Sequence, residues 1–503
     1  MRYTANEFAA EKASPPPWPS PQEQGAGGVG GGGLCAFAAE VLTAAWIFAL
    51  ILWAGTPATA DTPKAAPASG LVSYHKQIWP LLQAKCQACH QPASPGGKLV
   101  LTTYADFFKG GEHGAVIVAG KPEASPLLEY LTGKRTLMPK GGPPLADTEV
   151  ALFARWIKEG AKDDTPVVKD PIDAEHPPIY TTPPVLTALA FSPDGKTLAV
   201  SGYREILLHR ADGSGLIARL VGQAQNILSL VYSPDGKLLA AVGGAPARFG
   251  EVQFWDTATN KPVNAVQTTY DTIFGASFSP DGKELAFGCA DNSVRIVSVP
   301  DGKQLLKFDN HSDWVFATAF AMDNKHLLSA SRDQAIKLIQ ADDGSFIDDI
   351  NTHTSALRCL VRNPKADQVI CGGEDGIPRL YKIFRTERRT MNQEDHNLIR
   401  AFERQPAPIT ALAFSPDGTL IAVGSEGDVV NLYNVEDGRS VASLRGHKGV
   451  IYALAFSPDG KQIATGGFDG TVRFYNLPAG TLAKAFVPVP LNKATASRQA
   501  RRF

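Results

Sequence analysis

From about residue 179 onward, apolar and polar positions alternate over short runs, as in "LTALAFSPDGKTLAVSG" and "GVIYALAFSPDGKQIATGG". That period predicts half-buried β-strands. One turn punctuates them: Ser-Pro-Asp-Gly begins at Ser192, Ser233, Ser279, Ser415 and Ser457. Neighbouring copies lie 41 to 46 residues apart, and the long gap after Ser279 divides into steps of 42, 42 and 52. The division places weaker turns at Ala321-Met322-Asp323-Asn324 and Asn363-Pro364-Lys365-Ala366. Seven units of about four strands each follow, the period of a β-propeller.

Residues 71–164 carry a different pattern. "VSYHKQIWPLLQAK" opens the segment and "ADTEVALFARWIKEGA" closes it, both with helical spacing of apolar positions. In the closing stretch Val150, Phe153, Trp156 and Ile157 share one face, Asp147 is the expected N-cap and Gly160 the stop. The fold class is therefore multidomain, a small all-α domain followed by an all-β propeller. The expected boundaries are a leader over 1–60, a linker over 61–70, the helical domain over 71–164, a proline-rich charged linker over 165–178, the propeller over 179–487 and a basic tail over 488–503.

Composition changes this picture little. The 503 residues are 44% hydrophobic, and 49 basic against 50 acidic side chains leave no net field. Nucleic acid is not an expected partner. The leader changes it more, because "VLTAAWIFALILWAGTPATADTP" joins an apolar core to Gly55, Pro57 and the small residues Ala58-Thr59-Ala60. This pattern predicts an export signal, hence a periplasmic or cell-envelope location. The alternative is an uncleaved membrane anchor over 34–55, interrupted by Glu40. Arg2 and Lys12 are a poor basic flank for either, so the true start is expected downstream of Met1. Cys35 follows Leu34 where a lipidation site wants a small residue, and no lipid is expected there.

Three constellations imitate catalytic triads: His311/Ser329/Asp333, His353/Cys371/Asp375 and His447/Thr465/Asp469. Each spans 22 residues from His to Asp, with the middle residue 18 after the His. An active site occurs once, whereas a hydrogen-bond set between strands recurs with the repeat, so structural locks are expected and no catalytic residue is assigned. Cys359 and Cys371 fall on neighbouring strands, where two buried thiols are expected rather than a disulfide. The charged run "FRTERRTMNQEDHNLIRAF", with Arg385, Arg388 and Arg389, reads as a solvated loop.

The remaining chemistry lies in "LLQAKCQACHQPASPGG". Cys86, Cys89 and His90 form Cys-x-x-Cys-His, the pattern that attaches haem c through two thioethers and an axial imidazole. Zinc would require further ligands, and the other histidines of the domain are His75 and His113. A dithiol redox site would require βαβ surroundings, which the pattern lacks. Met138, in "KRTLMPKGGPPL", sits in a loop stiffened by Pro139, Pro143 and Pro144 and is the candidate sixth ligand, with His113 as competitor.

Two resemblances bear on these readings. The repeats resemble WD repeats through "LAFSPDG", Gly446-His447, Trp255-Asp256 and "GFDGTVRFYN", over about three-fifths of the chain. The family's lock ends on a Trp, replaced here by Ile339, Tyr381 and Tyr475. Residues 71–164 resemble the planctomycete-type cytochrome c domain through "IWPLLQAKCQACH", "GGKLVL", "VAGKPEASPLLEYLTG", "LMP" and "RWIKEGA". The resemblance implies one covalent haem c on Cys86 and Cys89, with His90 as proximal and Met138 as distal ligand. The expectation is an exported mono-haem carrier of electrons whose propeller docks a redox partner protein or an assembly. The alternative is a propeller oxidoreductase whose own active site feeds electrons to the haem.

Overall fold

The computed structural model describes residues 70–87, 89–91, 94–166, 172–385 and 397–492. The expected leader, export signal or anchor, Cys35, Arg388, Arg389 and most of the basic tail lie outside these residues. No helix of the described residues is long and apolar enough to cross a membrane.

The N-terminal part is built from short helices: α1 (Trp79–Lys85), α2 (Tyr104–Lys109), α3 (Pro126–Leu131) and α4 (Asp147–Lys158). A turn of π-helix, Tyr74–Ile78, leads into α1, where Pro80 is tolerated because an early helical N–H lacks an acceptor anyway. Helix α4 begins at Asp147 itself, one position earlier than expected, with Ala146 as the N-cap, and Glu149 folds back to accept the Ala146 N–H at 2.8 Å. Its stop is as read: Gly160 has φ 97°, open to glycine at little cost. Phe153, Trp156 and Ile157 are buried against Tyr74, Ile78, Leu82 and Phe107, so the first and last helices share one core. Trp156 stacks on Tyr74 at 5.5 Å between ring centroids. To the helices the structure adds a two-residue antiparallel ladder, β1 (His90–Gln91) with β2 (Ser94–Pro95).

The repeat region is all antiparallel strands. Five four-stranded sheets span 273–308, 315–350, 357–401, 409–444 and 451–486. A sixth sheet has seven strands in sequence order: β3 (Leu189–Phe191), β4 (Thr197–Ser201), β5 (Tyr203–Arg210), β6 (Leu216–Tyr232), β7 (Leu238–Ala245), β8 (Phe249–Asp256) and β9 (Lys261–Thr269). Strand β6, 17 residues long, does two jobs: its first part pairs with β5 and its last part with β7. The first strand of each four-stranded sheet lies against that of the next, and the last reaches back to β3. This is a β-propeller-like arrangement. Beyond β3, Tyr180 bridges Leu491 in parallel and accepts the Asn492 N–H, tying the start of the region to its end.

The recurring turn works alike at each copy. At the first, Ser192 Oγ donates to Asp194 at 2.6 Å and accepts the Thr197 N–H at 3.0 Å, while Gly195 takes φ 69°. At the weaker turn Asn324 occupies the glycine place with φ 62°, which Asn tolerates better than other side chains. The "GGAPARFGE" insertion lengthens the β7–β8 hairpin.

Candidate functional site

Helix α1 is followed by its C-cap Cys86, whose backbone N–H reaches the Leu82 carbonyl at 2.9 Å. The chain then tightens: the N–H groups of Cys89 and His90 both donate to the Cys86 carbonyl, at 3.2 and 3.1 Å. One turn therefore gathers Cys86, Cys89 and His90. It is braced from the following segment, where Gln87 Nε2 donates to the Leu101 carbonyl at 2.8 Å and Leu101 N–H to the His90 carbonyl at 2.8 Å.

The His90 ring is oriented by the same segment. Its Nδ1 lies 3.2 Å from the Leu99 carbonyl, which can only accept, so Nδ1 carries the proton and Nε2 keeps its lone pair. Nε2 has no hydrogen-bond partner among the described residues. Gly96 flanks the ring so closely that a Cβ there would stand 3.3 Å from His90 Cε1 and 3.1 Å from the Cys89 carbonyl oxygen. The Leu99 carbonyl and Gly96 were not singled out from sequence; the Gly-Gly pair following Cys-x-x-Cys-His was the available signal.

Cys89 is exposed and Cys86 half-buried. As a free thiol, Cys86 is pushed up to about 11 by burial, with the Lys85 ammonium pulling the other way. Lys85 itself is fixed to Glu149 of α4 at 2.7 Å, so the helix that carries the thiol is pinned to the last helix. The hydrogen bond from Lys85 comes first among the causes that hold the Glu149 carboxyl below its usual range.

Met138 belongs to a different element. Its N–H donates to the Tyr130 carbonyl of α3 at 3.1 Å, and the residue is half-buried, outside the apolar core cluster. His113, the competing ligand, has a side chain 76% exposed beside Glu112, and His75 is exposed as well. Among the described residues no three His, Cys, Asp or Glu side chains gather as a metal-binding cluster. The donor set nonetheless fits a haem, which needs two thiols and one imidazole with a free Nε2 rather than a shell of acids.

The triad-like sets are held inside the sheets. His311 places Nδ1 2.8 Å from Asp333 and Nε2 2.8 Å from Ser329 Oγ, yet the His side chain is fully enclosed and Ser329 is 1% exposed. No carbonyl substrate has a path to that hydroxyl. In the last sheet the tautomer is reversed, because Arg473 lies 3.2 Å from His447 Nδ1 and can only donate. Nε2–H then donates to Thr465 at 2.7 Å, and Tyr475 donates to the Arg445 carbonyl at 2.7 Å. In the second set Cys371 lies 3.7 Å from His353. Cys371 is paired with Leu360, and Cys359 with Gly372, so the two cysteines pack into different clusters and are not joined to each other. A feature missed in the sequence is an Arg four residues after the Asp, as in Asp291/Arg295, Asp375/Arg379 and Asp469/Arg473, at 2.6 to 2.8 Å. Arg385, read as part of a solvated loop, binds Asp348 at 2.7 Å.

Comparison with known proteins agrees with this division. Residues 86–142 match the family Planctomycete cytochrome C. Residues 260–298, 302–340, 396–434 and 438–476 match the family WD domain, G-beta repeat. Among curated proteins, THO complex subunit 3 of Arabidopsis thaliana is 23% identical over 195 residues, 38% of this chain and 56% of that protein. WD repeat-containing protein 1 of Bos taurus is 40% identical over 78 residues, 16% of this chain and 12% of that protein. The chain thus spans little more than half of the first relative and about an eighth of the second. WD repeats generally mediate protein–protein interaction. The chain joins a segment of the planctomycete cytochrome c family to a run of WD repeats.

Proposed function

We propose that the chain is an exported electron carrier with one haem c, displayed on a closed seven-bladed propeller that docks its redox partner. The observation that carries this reading is the single turn holding Cys86, Cys89 and His90, with His90 Nδ1 committed to Leu99 and Nε2 free. In it Cys86 and Cys89 provide the two thioether links, and His90 offers Nε2 to the metal. The Leu99 carbonyl fixes the tautomer and makes the imidazole a stronger donor. Met138, in the loop after α3, would supply a further ligand to the iron. When bound, the haem supplies a one-electron couple, and a His/Met pair leaves no open position for a substrate.

Support for seven blades comes from the five four-stranded sheets and the seven-stranded sheet, if β6 is taken as the outer strand of one blade and the inner strand of the next. The helical domain ends and the propeller begins across residues 165–178, and the leader directs the whole chain out of the cytoplasm. The test is ligand access. Wild-type ferrous protein should react poorly with carbon monoxide and the Met138→Ala variant readily. Equal, fast reaction of both would remove Met138 as ligand and the closed-shell carrier with it.

A further inference from the structure

Among the described residues two acids are fully buried, Glu205 and Glu251, at 0% and 3% exposure. They hold equivalent places in the two halves of the seven-stranded sheet. Glu205 of β5 is paired with Val221 of β6, and Glu251 of β8 with Gln267 of β9. A buried carboxylate needs a cation or a full set of donors. Glu205 has one: Arg219 sets Nε and Nη2 on its two oxygens at 2.6 and 2.7 Å.

The second half lacks that arginine. Arg219 pairs with Leu207, and the corresponding pair is Ala265 with Gln253, so alanine stands in the arginine's place. Glu251 Oε2 accepts the Ala224 N–H at 2.9 Å and Gln253 Nε2 at 2.6 Å. Trp255 Nε1–H, a donor only, holds Gln253 Oε1 at 3.2 Å and thereby turns the Gln253 amide N–H toward Glu251. Oε1 of Glu251 has no hydrogen-bond partner, and no cation pairs with the carboxylate among the described residues. Beside it lies a cavity of about 320 Å³, lined by Glu251, Gln253, Trp255 and Ala265 and reached past the exposed Gln223 and Gln267.

We propose that this cavity receives the guanidinium group of an arginine side chain from a partner protein, with Glu251 taking it as Glu205 takes Arg219. A planar fork matches a carboxylate with one committed and one free oxygen. A hard cation would want six or more oxygens and finds one acid. Rim amides of Gln223 and Gln267 offer further acceptors for the remaining N–H groups.

Calorimetric titration of the full chain at low ionic strength tests this, with N-acetyl-argininamide as the probe and the matching lysine and citrulline amides beside it. The arginine amide should bind at millimolar concentration or below, the neutral citrulline amide should not, and the lysine amide should bind more weakly. Glu251→Gln, nearly isosteric, should lose at least tenfold in affinity. Ala265→Arg should abolish binding and raise the denaturation midpoint by restoring the arrangement of the other half. Absence of binding to wild type, equal binding of citrulline or lysine amide, or unchanged affinity in Glu251→Gln would each overturn the proposal. Tighter binding of agmatine than of the capped arginine would assign the cavity to a free guanidine instead of a partner protein. Should Ala265→Arg not fold, the Glu251→Gln comparison decides alone.

Discussion

If the histidine sets are locks, His447 must be neutral, and acid should loosen the last sheet. Burial is the first cause that depresses this histidine, the neighbouring Arg473 charge is the second, and Asp469 opposes; the result is a pKa of about 4. Protonating Nδ1 would set a new N–H against the Arg473 guanidinium, 3.2 Å away. Above pH 6.5 the imidazole is neutral both folded and unfolded, and the lock contributes fully. As pH falls below 6.5 the unfolded chain binds a proton that folded His447 does not, and stability declines until about pH 4, where the folded state protonates too. That window is worth about 3 kcal/mol. The assay is urea denaturation of wild type and His447→Asn, followed by circular dichroism at pH 7.5, 5.5 and 4. The variant should be less stable at pH 7.5 and lose about 3 kcal/mol less than wild type on acidification. Parallel pH curves, or an imidazole that titrates near 6.5 by NMR, would refute the reasoning.

Tyr180→Phe should lower the free energy of unfolding by about 1–3 kcal/mol, because the hydroxyl both donates to buried Glu205 at 2.7 Å and accepts the Tyr203 N–H at 3.0 Å. An unchanged stability would mean that the link from Tyr180 to β5 carries no weight. Burial pushes the Cys289 and Cys359 thiols up to about 12, so both should resist iodoacetamide at pH 8 until the protein is unfolded. Mass spectrometry showing rapid native labelling at either would contradict their placement. Met138→His should lower the reduction potential relative to wild type, since a thioether favours the ferrous state; a potential unmoved in voltammetry would count against Met138 as ligand.

Much of the architecture was legible because its signals are local and repeated. The Ser-Pro-Asp-Gly turn must put a glycine at positive φ, and the interval of 22 residues from His311 to Asp333 and from His447 to Asp469 exposes a periodic lock. What escaped depends on three-dimensional neighbours. The shared strand β6 has no turn between its two roles, only Gly222 to Gln225 lying between the pairs of Val221 and Asn226. The opposite tautomers of His311 and His447 follow from an Arg in one set and an Asp in the other. The candidate haem turn was readable in Cys86, Cys89 and His90, but its brace runs through the backbone carbonyls of Leu99 and Leu101, which no side-chain pattern encodes. Asp147 was read as a cap because it precedes the helical face; Glu149 does that work instead.

The central claim is that one haem is bound covalently through Cys86 and Cys89. Intact-mass analysis with haem staining after denaturing electrophoresis tests it most directly, on protein expressed with export and haem-attachment machinery. Wild type should carry the mass of a single haem and stain after denaturation, and Cys86→Ala with Cys89→Ala should show neither. A wild-type chain of unmodified mass, or a double variant that still stains, would contradict the account.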